Sequence, residues 1–208
     1  MSASRKTIFL IVGQTASGKD SLVNAMCQGR QKIMTLSTDK DNNEQQIITY
    51  KPYKQLVSYT TRPKRENEGD THIFISRSEV EQYKDDMIAY TQIGEYEYFA
   101  TKEQLRNCNF YIIDYDGVKY LRSQQLNDEF RFVTIYINTP DEIRKERALS
   151  ARKDNKEIFD KRNKTEESQF NDMRTKADFD YSINNINFDK AFKILKYIVE
   201  VESKYETI

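Results

Sequence analysis

The chain has 208 residues, enough for one domain with a substantial core, and its 33 Lys+Arg and 33 Asp+Glu cancel to a formal net charge of +0. That balance excludes the global field that draws a protein onto nucleic acid or a membrane surface, so neither is expected as a partner. Two cysteines, Cys27 and Cys108, supply neither a disulfide framework nor a zinc cluster, which points to a reducing, cytoplasmic setting.

The first element is KTIFLIV, a continuous apolar, β-rich run that predicts a buried strand. Its segment Ile8 to Val12 is too short for the apolar region of a signal peptide, and no later run reaches membrane-spanning length. The strand leads straight into GQTASGKDS, with a helix expected over Lys19 to Met26. Glycine, four residues, glycine and lysine is the spacing of a phosphate-binding loop. Between strand and helix, the backbone N–H groups of Gly13, Gln14, Thr15, Ala16, Ser17 and Gly18 and the helix start at Lys19, Asp20 and Ser21 converge on an anion. Lys19 adds a mobile positive charge for the β and γ phosphates of a nucleoside triphosphate. Asp20 stands where the pattern puts the serine or threonine that binds magnesium. A carboxylate is a hard oxygen ligand suited to that ion, directly or through water, so the ligand is replaced rather than lost.

Residues 28 to 55 are polar, with DKDNNEQQ at their centre, and read as a surface excursion or flexible loop. Residues 58 to 107 read as a small β-rich insert: short strands at MIAYTQI and EYEYFA, and a helix after Ser76, whose Glu79 completes a capping box. Within the insert, Arg62 and Arg65 flank Pro63 in an extended segment. Two guanidiniums so placed clamp a second phosphate or merely line a solvated loop. NFYIIDY and FRFVTIYI are further buried strands, each followed by a helix, Val118 to Gln124 after the first and one capped by Thr139 with Pro140 at its first position after the second. From Phe188 the residues Ala191, Phe192, Leu195, Ile198 and Val199 mark an amphipathic helix. Strands alternating with helices predict an α/β fold, a parallel sheet sandwiched by helices.

SYTTRPKRENEGDTHIFIS carries the second motif. The chain here resembles the guanylate kinase family, which joins a phosphate loop (P-loop) to Ser-x-Thr-Thr-Arg-x-x-Arg and then Gly-x-x-Tyr-x-Phe. The matching residues are Ser58-Tyr59-Thr60-Thr61-Arg62-Pro63-Lys64-Arg65 and Gly69-Asp70-Thr71-His72-Ile73-Phe74. The resemblance runs from Ile8 onward, apart from the 28–55 excursion. It implies a cytoplasmic enzyme that moves the γ-phosphoryl group of ATP to GMP or dGMP, with Mg2+ accompanying ATP. It implies one guanylate-kinase-like domain: a core of residues 1–57, 108–146 and 163–208, a nucleoside-monophosphate-binding insert at 58–107, and a helical lid at about 147–162. By resemblance, Arg62 and Arg65 hold the acceptor phosphate and Ser58 touches the guanine edge. Asp114 holds magnesium's waters, and Asp116 accepts hydrogen bonds from guanine, whose N1–H and amino group are donors. The lid arginines Arg147, Arg152 and Arg162 would stabilise charge on the transferring group, Arg152 and Arg162 foremost.

Four positions depart from the family pattern. Asp20 is one. His72 replaces the tyrosine that bonds the acceptor phosphate. The family's Tyr-Tyr-Gly-Ser/Thr appears as Tyr98-Phe99-Ala100-Thr101, leaving Tyr98 and Thr101 as acceptor-side groups. Ala89 stands where a base-reading glutamate is implied, with Glu95 or Glu97 in the next loop as substitutes. Two rival readings stay open, a kinase for another (deoxy)nucleoside monophosphate and a non-catalytic guanylate-kinase-like binding module. Monomer and homodimer are both compatible with the sequence.

Overall fold

The computed structural model describes residues 5–38, 44–64, 69, 72–151 and 155–204. It opens with β1 (Lys6–Val12) and α1 (Lys19–Cys27), matching the sequence expectation. β2 (Arg30–Thr38) and β3 (Glu44–Pro52) pair antiparallel, from Arg30↔Pro52 to Thr38↔Glu44. The polar excursion is therefore a two-stranded hairpin forming its own sheet, not a loop. Its side chains at Ile48, Thr49 and Tyr50 are exposed, and such a stretch shows no core-facing alternation to read.

The chain continues through β4 (Tyr59–Thr60), β5 (Ile73–Phe74), a 3₁₀ helix (Arg77–Asp86), β6 (Met87–Ile93), β7 (Tyr96–Thr101) and α2 (Lys102–Asn107). Ser76 does begin a helix through its capping box, the Ser76 N–H donating to Glu79 Oε2 at 2.7 Å, but the helix is of the tighter 3₁₀ kind. Then come β8 (Phe110–Ile112), α3 (Tyr115–Ser123), β9 (Phe130–Asn138) and α4 (Asp141–Glu146). A π-helical turn (Arg147–Ala151), α5 (Lys156–Lys176), β10 (Tyr181–Asn184) and α6 (Phe188–Glu202) complete it. α3 starts three residues before Val118 because Asp114 caps it, Oδ1 accepting from the Gly117 N–H at 2.7 Å. Thr139 does not cap α4. Pro140 is its N-cap, and the Thr139 hydroxyl donates instead to the Ser17 carbonyl at 3.0 Å.

The central sheet has the order β10-β9-β1-β8, all parallel, with Phe9 opposite both Phe110 and Val133. Successive side chains of a strand point to opposite faces, and both faces of this sheet are covered. Ile8, Leu10 and Val12 face α3 and α5 through Tyr115, Val118, Phe170 and Met173. Phe9 and Ile11 face α1 and α6 through Leu22, Val23, Leu195 and Val199. A second sheet, β5-β4-β7-β6, joins the first of these clusters through Ile88, Ala89 and Ala100. Two layers of helix thus fix where β1 and β8 end, and the site forms at those ends.

Candidate active site

The turn after β1 is a cage for its own carbonyls. Ala16 (φ 58°) and Gly18 (φ 85°) take left-handed backbone conformations. A side chain at Gly18 would collide with the Asn185 carboxamide, and one at Gly13 would lie 2.8 Å from the Ile137 carbonyl, so both glycines are required by space. The Ser17 carbonyl accepts from Asn185 Nδ2 (2.8 Å), the Thr139 hydroxyl (3.0 Å) and Arg147 Nη1 (3.4 Å). The Thr15 carbonyl accepts from Arg144 Nη1 at 3.2 Å. With these two carbonyls held, the peptides they belong to turn their N–H edges, those of Ala16 and Gly18, the opposite way, the arrangement an anion nest uses. Lys19 Nζ lies 3.4 Å from the Gln14 carbonyl, within the nest, and Asp20 and Ser21 are exposed on the first turn of α1.

Arg144 was not singled out from the sequence. It is 0% exposed, donates to Asp141 Oδ1 (2.7 Å) and Asn163 Oδ1 (2.6 Å), and lies over the Phe159 ring. Its hydrogen bond holds the Asp141 carboxyl below the usual carboxylate range. The spacing Asp141/Arg144 reads in sequence as a solvated i, i+3 pair. Only the docking of α5 shows that the guanidinium is interior. Arg147 braces backbone too, reaching the Asn185 carbonyl at 2.9 Å and Ile186 at 3.4 Å besides Ser17. Arg162 is half-buried on α5, and Arg152 lies outside the described residues.

Two carboxylates follow β8. Ile113 N–H donates to the Ile11 carbonyl at 3.2 Å, which sets Asp114 beside the phosphate loop. Burial pushes its carboxyl up, against the Gly117 N–H and the Lys19 charge, which pull it down. Asp116, on the first turn of α3, is exposed. Lys119 pairs with Oδ1 at 2.6 Å, and Gln169 Nε2 donates to Oδ2 at 2.6 Å. Burial raises its carboxyl, but those two donors outweigh that and hold it low.

On the second sheet, Ser58 Oγ lies 3.0 Å from His72 Nδ1, and the imidazole meets the Tyr98 ring edge-on at 5.5 Å. Arg62 is buried, donates to the Pro63 carbonyl at 3.0 Å and lies over the Phe74 ring at 5.2 Å. Arg65 lies outside the described residues. The Thr101 hydroxyl is taken up in capping α2, accepting from the Gln104 N–H at 3.3 Å. Ala89, 4% exposed, faces the apolar core with its partner Ala100. The substitutes considered for it are elsewhere. Gln92↔Glu97 and Tyr90↔Phe99 alternate with Thr91↔Tyr98, so Glu97 is on the face opposite Tyr98, accepting from the Tyr90 hydroxyl at 3.1 Å. Glu95 pairs with Arg77 at the exposed turn.

α5 supplies three site residues that sequence reading missed. Glu166 Oε2 accepts from the Thr15 N–H at 2.6 Å, Gln169 bonds Asp116, and Arg174 Nη1 donates to Gln14 Oε1 (3.3 Å) and the Tyr136 hydroxyl (3.1 Å). With buried Phe170 and Met173 these positions recur at helical spacing, and that period is the signal the sequence offered.

A family model described as "Guanylate kinase" matches residues 32–202, well over half of the chain. The guanylate kinase of Yersinia pestis is 26% identical over 207 residues, covering 94% of this chain and 88% of the relative. That of Escherichia coli K12 is 24% identical with the same coverage. The crystal structure of guanylate kinase from Anaplasma phagocytophilum superposes with a TM-score of 0.58 at 16% identity, covering 97% of this chain and 88% of that one. Among the described residues, no helix is long and apolar enough to cross a membrane.

Proposed function

The chain belongs to the guanylate kinase family, and from that premise we propose that it transfers the γ-phosphoryl group of ATP to GMP, giving ADP and GDP. The observation that carries the proposal is the braced phosphate loop: its carbonyls are bonded outward and Lys19 stands inside it. A non-catalytic binding module has no use for such a nest. Convergent N–H groups and Lys19 hold the β and γ phosphates and stabilise charge that grows on the transferring group. Arg62 with His72 and Tyr98 receives the acceptor's phosphate end, joined by Arg65, and Ser58 touches the guanine edge. Asp116 accepts from the base. Arg162 and Arg152 cover the transferring group, which also keeps water from it.

Magnesium fits the donor set. Asp20 is exposed beside Lys19, and Asp114 uses only Oδ1 for its cap, with no hydrogen bond recorded to Oδ2 among the described residues. No three His, Cys, Asp or Glu gather into a metal site among the described residues, in keeping with an ion shared between one or two carboxylates and phosphate oxygens. Asp20 and Asp114 would hold it, and when bound it neutralises charge across the β and γ phosphates.

One observation favours a second reading, a kinase for another (deoxy)nucleoside monophosphate. Ala89 presents a methyl group to the core, and no glutamate of the β6–β7 hairpin reaches the Tyr98 face. A site missing a charged base partner loses much of its selectivity. A coupled ADP-release assay with GMP, dGMP, AMP, CMP, UMP and dTMP decides between them. Highest kcat/KM on GMP or dGMP supports the first reading. Preference for another base replaces it with the second. No ADP release on any acceptor defeats both.

A further inference from the structure

α5 lays two side chains, one helical turn apart, on the two places where nucleotides are expected. Glu166 puts a carboxylate oxygen 2.6 Å from the Thr15 N–H, and Gln169 puts an amide N–H donor 2.6 Å from Asp116 Oδ2. The chemistry at each end is that of the absent substrate. A carboxylate oxygen on a nest N–H is what a phosphate oxygen would be. The Gln169 carboxamide can approach an acceptor-only carboxylate just through its N–H edge, as guanine does through N1–H and its amino group.

We propose that α5 carries an intramolecular pseudo-ligand, Glu166 standing for a phosphate oxygen and Gln169 for a base N–H, so that either nucleotide must lift the same helical turn. The inference rests on reading the phosphate loop as the ATP site and Asp116 as an acceptor-base residue.

Four features make the occupation specific. Lys19 approaches the carbonyl, and Glu166 the N–H, of one and the same Gln14–Thr15 peptide. That lysine reaches the β and γ phosphates in such loops, so the peptide that Glu166 bonds is part of the same loop. The Gln14–Thr15 peptide does not readily turn that N–H away, because its carbonyl, that of Gln14, accepts from the Ser17 N–H at 3.1 Å and from Lys19 at 3.4 Å. Among the described residues Glu166 forms no ion pair, so the nest is its principal electrostatic partner. Finally, α5 is anchored below this turn by buried Phe170 and Met173. Displacing both side chains therefore asks for movement of the turn and its side chains, not for unfolding of the helix.

Two consequences follow. Each nucleotide binds more weakly than its own contacts allow, because it first breaks a protein–protein bond. Each also helps the other, because the turn lifted by one is already lifted for the second, which is positive coupling between sites. A hydrogen bond with one charged partner is worth about a factor of ten or more in an equilibrium constant.

The test is calorimetric titration of the full chain and of Glu166→Gln, Gln169→Ala and the double variant. The probes are the magnesium complex of a non-transferable ATP analogue and GMP, each alone and then together. Circular dichroism and thermal melts confirm that the variants are folded. Glu166→Gln should bind the analogue roughly tenfold tighter and, because it loosens the turn that GMP must also lift, should bind GMP tighter too. Gln169→Ala should bind GMP several-fold tighter and the analogue tighter too, for the same reason. In the parent each ligand should tighten the other, and in the double variant that coupling should vanish. Parent-like affinities in folded variants would overturn the pseudo-ligand while leaving the kinase reading intact. Failure of parent and variants alike to bind either nucleotide would overturn both. Gains confined in each variant to the one ligand it faces would overturn the shared turn.

Discussion

Arg144→Met tests the brace beneath the phosphate loop. The substitution keeps the apolar stem and removes a guanidinium that is 0% exposed and bonded to Thr15 O, Asp141 and Asn163. Hydrogen bonds to a charged group are each worth about 1.5–3 kcal/mol. Against that loss stands the desolvation of a buried charge, relief of which can offset several kcal/mol. The partners left behind decide the balance. Asp141 is 70% exposed and rehydrates freely, so its share is small. The Thr15 carbonyl is buried and Asn163 half-buried, and each stranded acceptor costs about 1–3 kcal/mol. A net destabilisation of about 2–3 kcal/mol is expected, which for a chain of this size lowers Tm by roughly 4–12 °C. The freed Thr15 peptide can also rotate, so affinity for magnesium-ATP should fall several-fold. Arg144→Lys keeps the charge but not the fork and should do no better. Denaturant melts and ATP titration read both effects. A methionine variant as stable as the parent, with unchanged ATP affinity, would refute the claim that Arg144 shapes the loop.

Lys19→Ala should leave Tm within a few degrees and remove ADP release, because the lysine acts on charge that develops during transfer; parental turnover would place the chemistry elsewhere. Asp20→Ser should improve ATP binding in EDTA and change it much less in excess magnesium, since without metal the carboxylate repels the phosphates. Equal changes in calorimetric titrations under both conditions would limit Asp20 to starting α1. Asp141 sits below the ordinary carboxyl range through its bond from Arg144, so the stabilisation it adds is present above the unfolded pKa of about 3.9 and is lost as pH falls through the lower folded value. Acid melts of the parent should therefore show stability falling below about pH 4 by an increment that Arg144→Met lacks.

What was legible in the sequence is what depends on local period and turn chemistry. β1 and β9 announce themselves because a strand buried on both faces must be apolar throughout, and Gly13 and Gly18 because the loop leaves no room for a Cβ. The α3 start was misplaced because Asp114 was read as a strand end with a metal role, whereas its carboxylate also satisfies the Gly117 N–H. Thr139 had the right residue type for a cap, but its hydroxyl serves a carbonyl distant in sequence. The hairpin at residues 30–52 was missed because the polar run DKDNNEQQ dominates its sequence, and Ile48 and Tyr50 are exposed. Arg144, Glu166 and Gln169 were missed for a different reason. Each is an ordinary polar residue on a helix, and its role exists only once α4 and α5 lie against the loop and α3.

The same docking addresses an electrostatic difficulty that a phosphate loop creates for itself. A helix start and Lys19 place positive charge beside the buried loop residues Gln14, Thr15 and Ser17. With carbonyls held outward by Asn185, Thr139, Arg147 and Arg144, the loop cannot relax by turning its peptides over. The carboxylate that meets the loop's backbone is that of Glu166, accepting from the Thr15 N–H at 2.6 Å. Asp20 cannot take that place from an exposed position on α1, but it stands ready for the metal that comes with the nucleotide. On this argument the two carboxylates act in succession. In the proposed reading Glu166 offsets the loop's positive charge and gives way to phosphate, and Asp20 would help to hold the magnesium that accompanies the nucleotide.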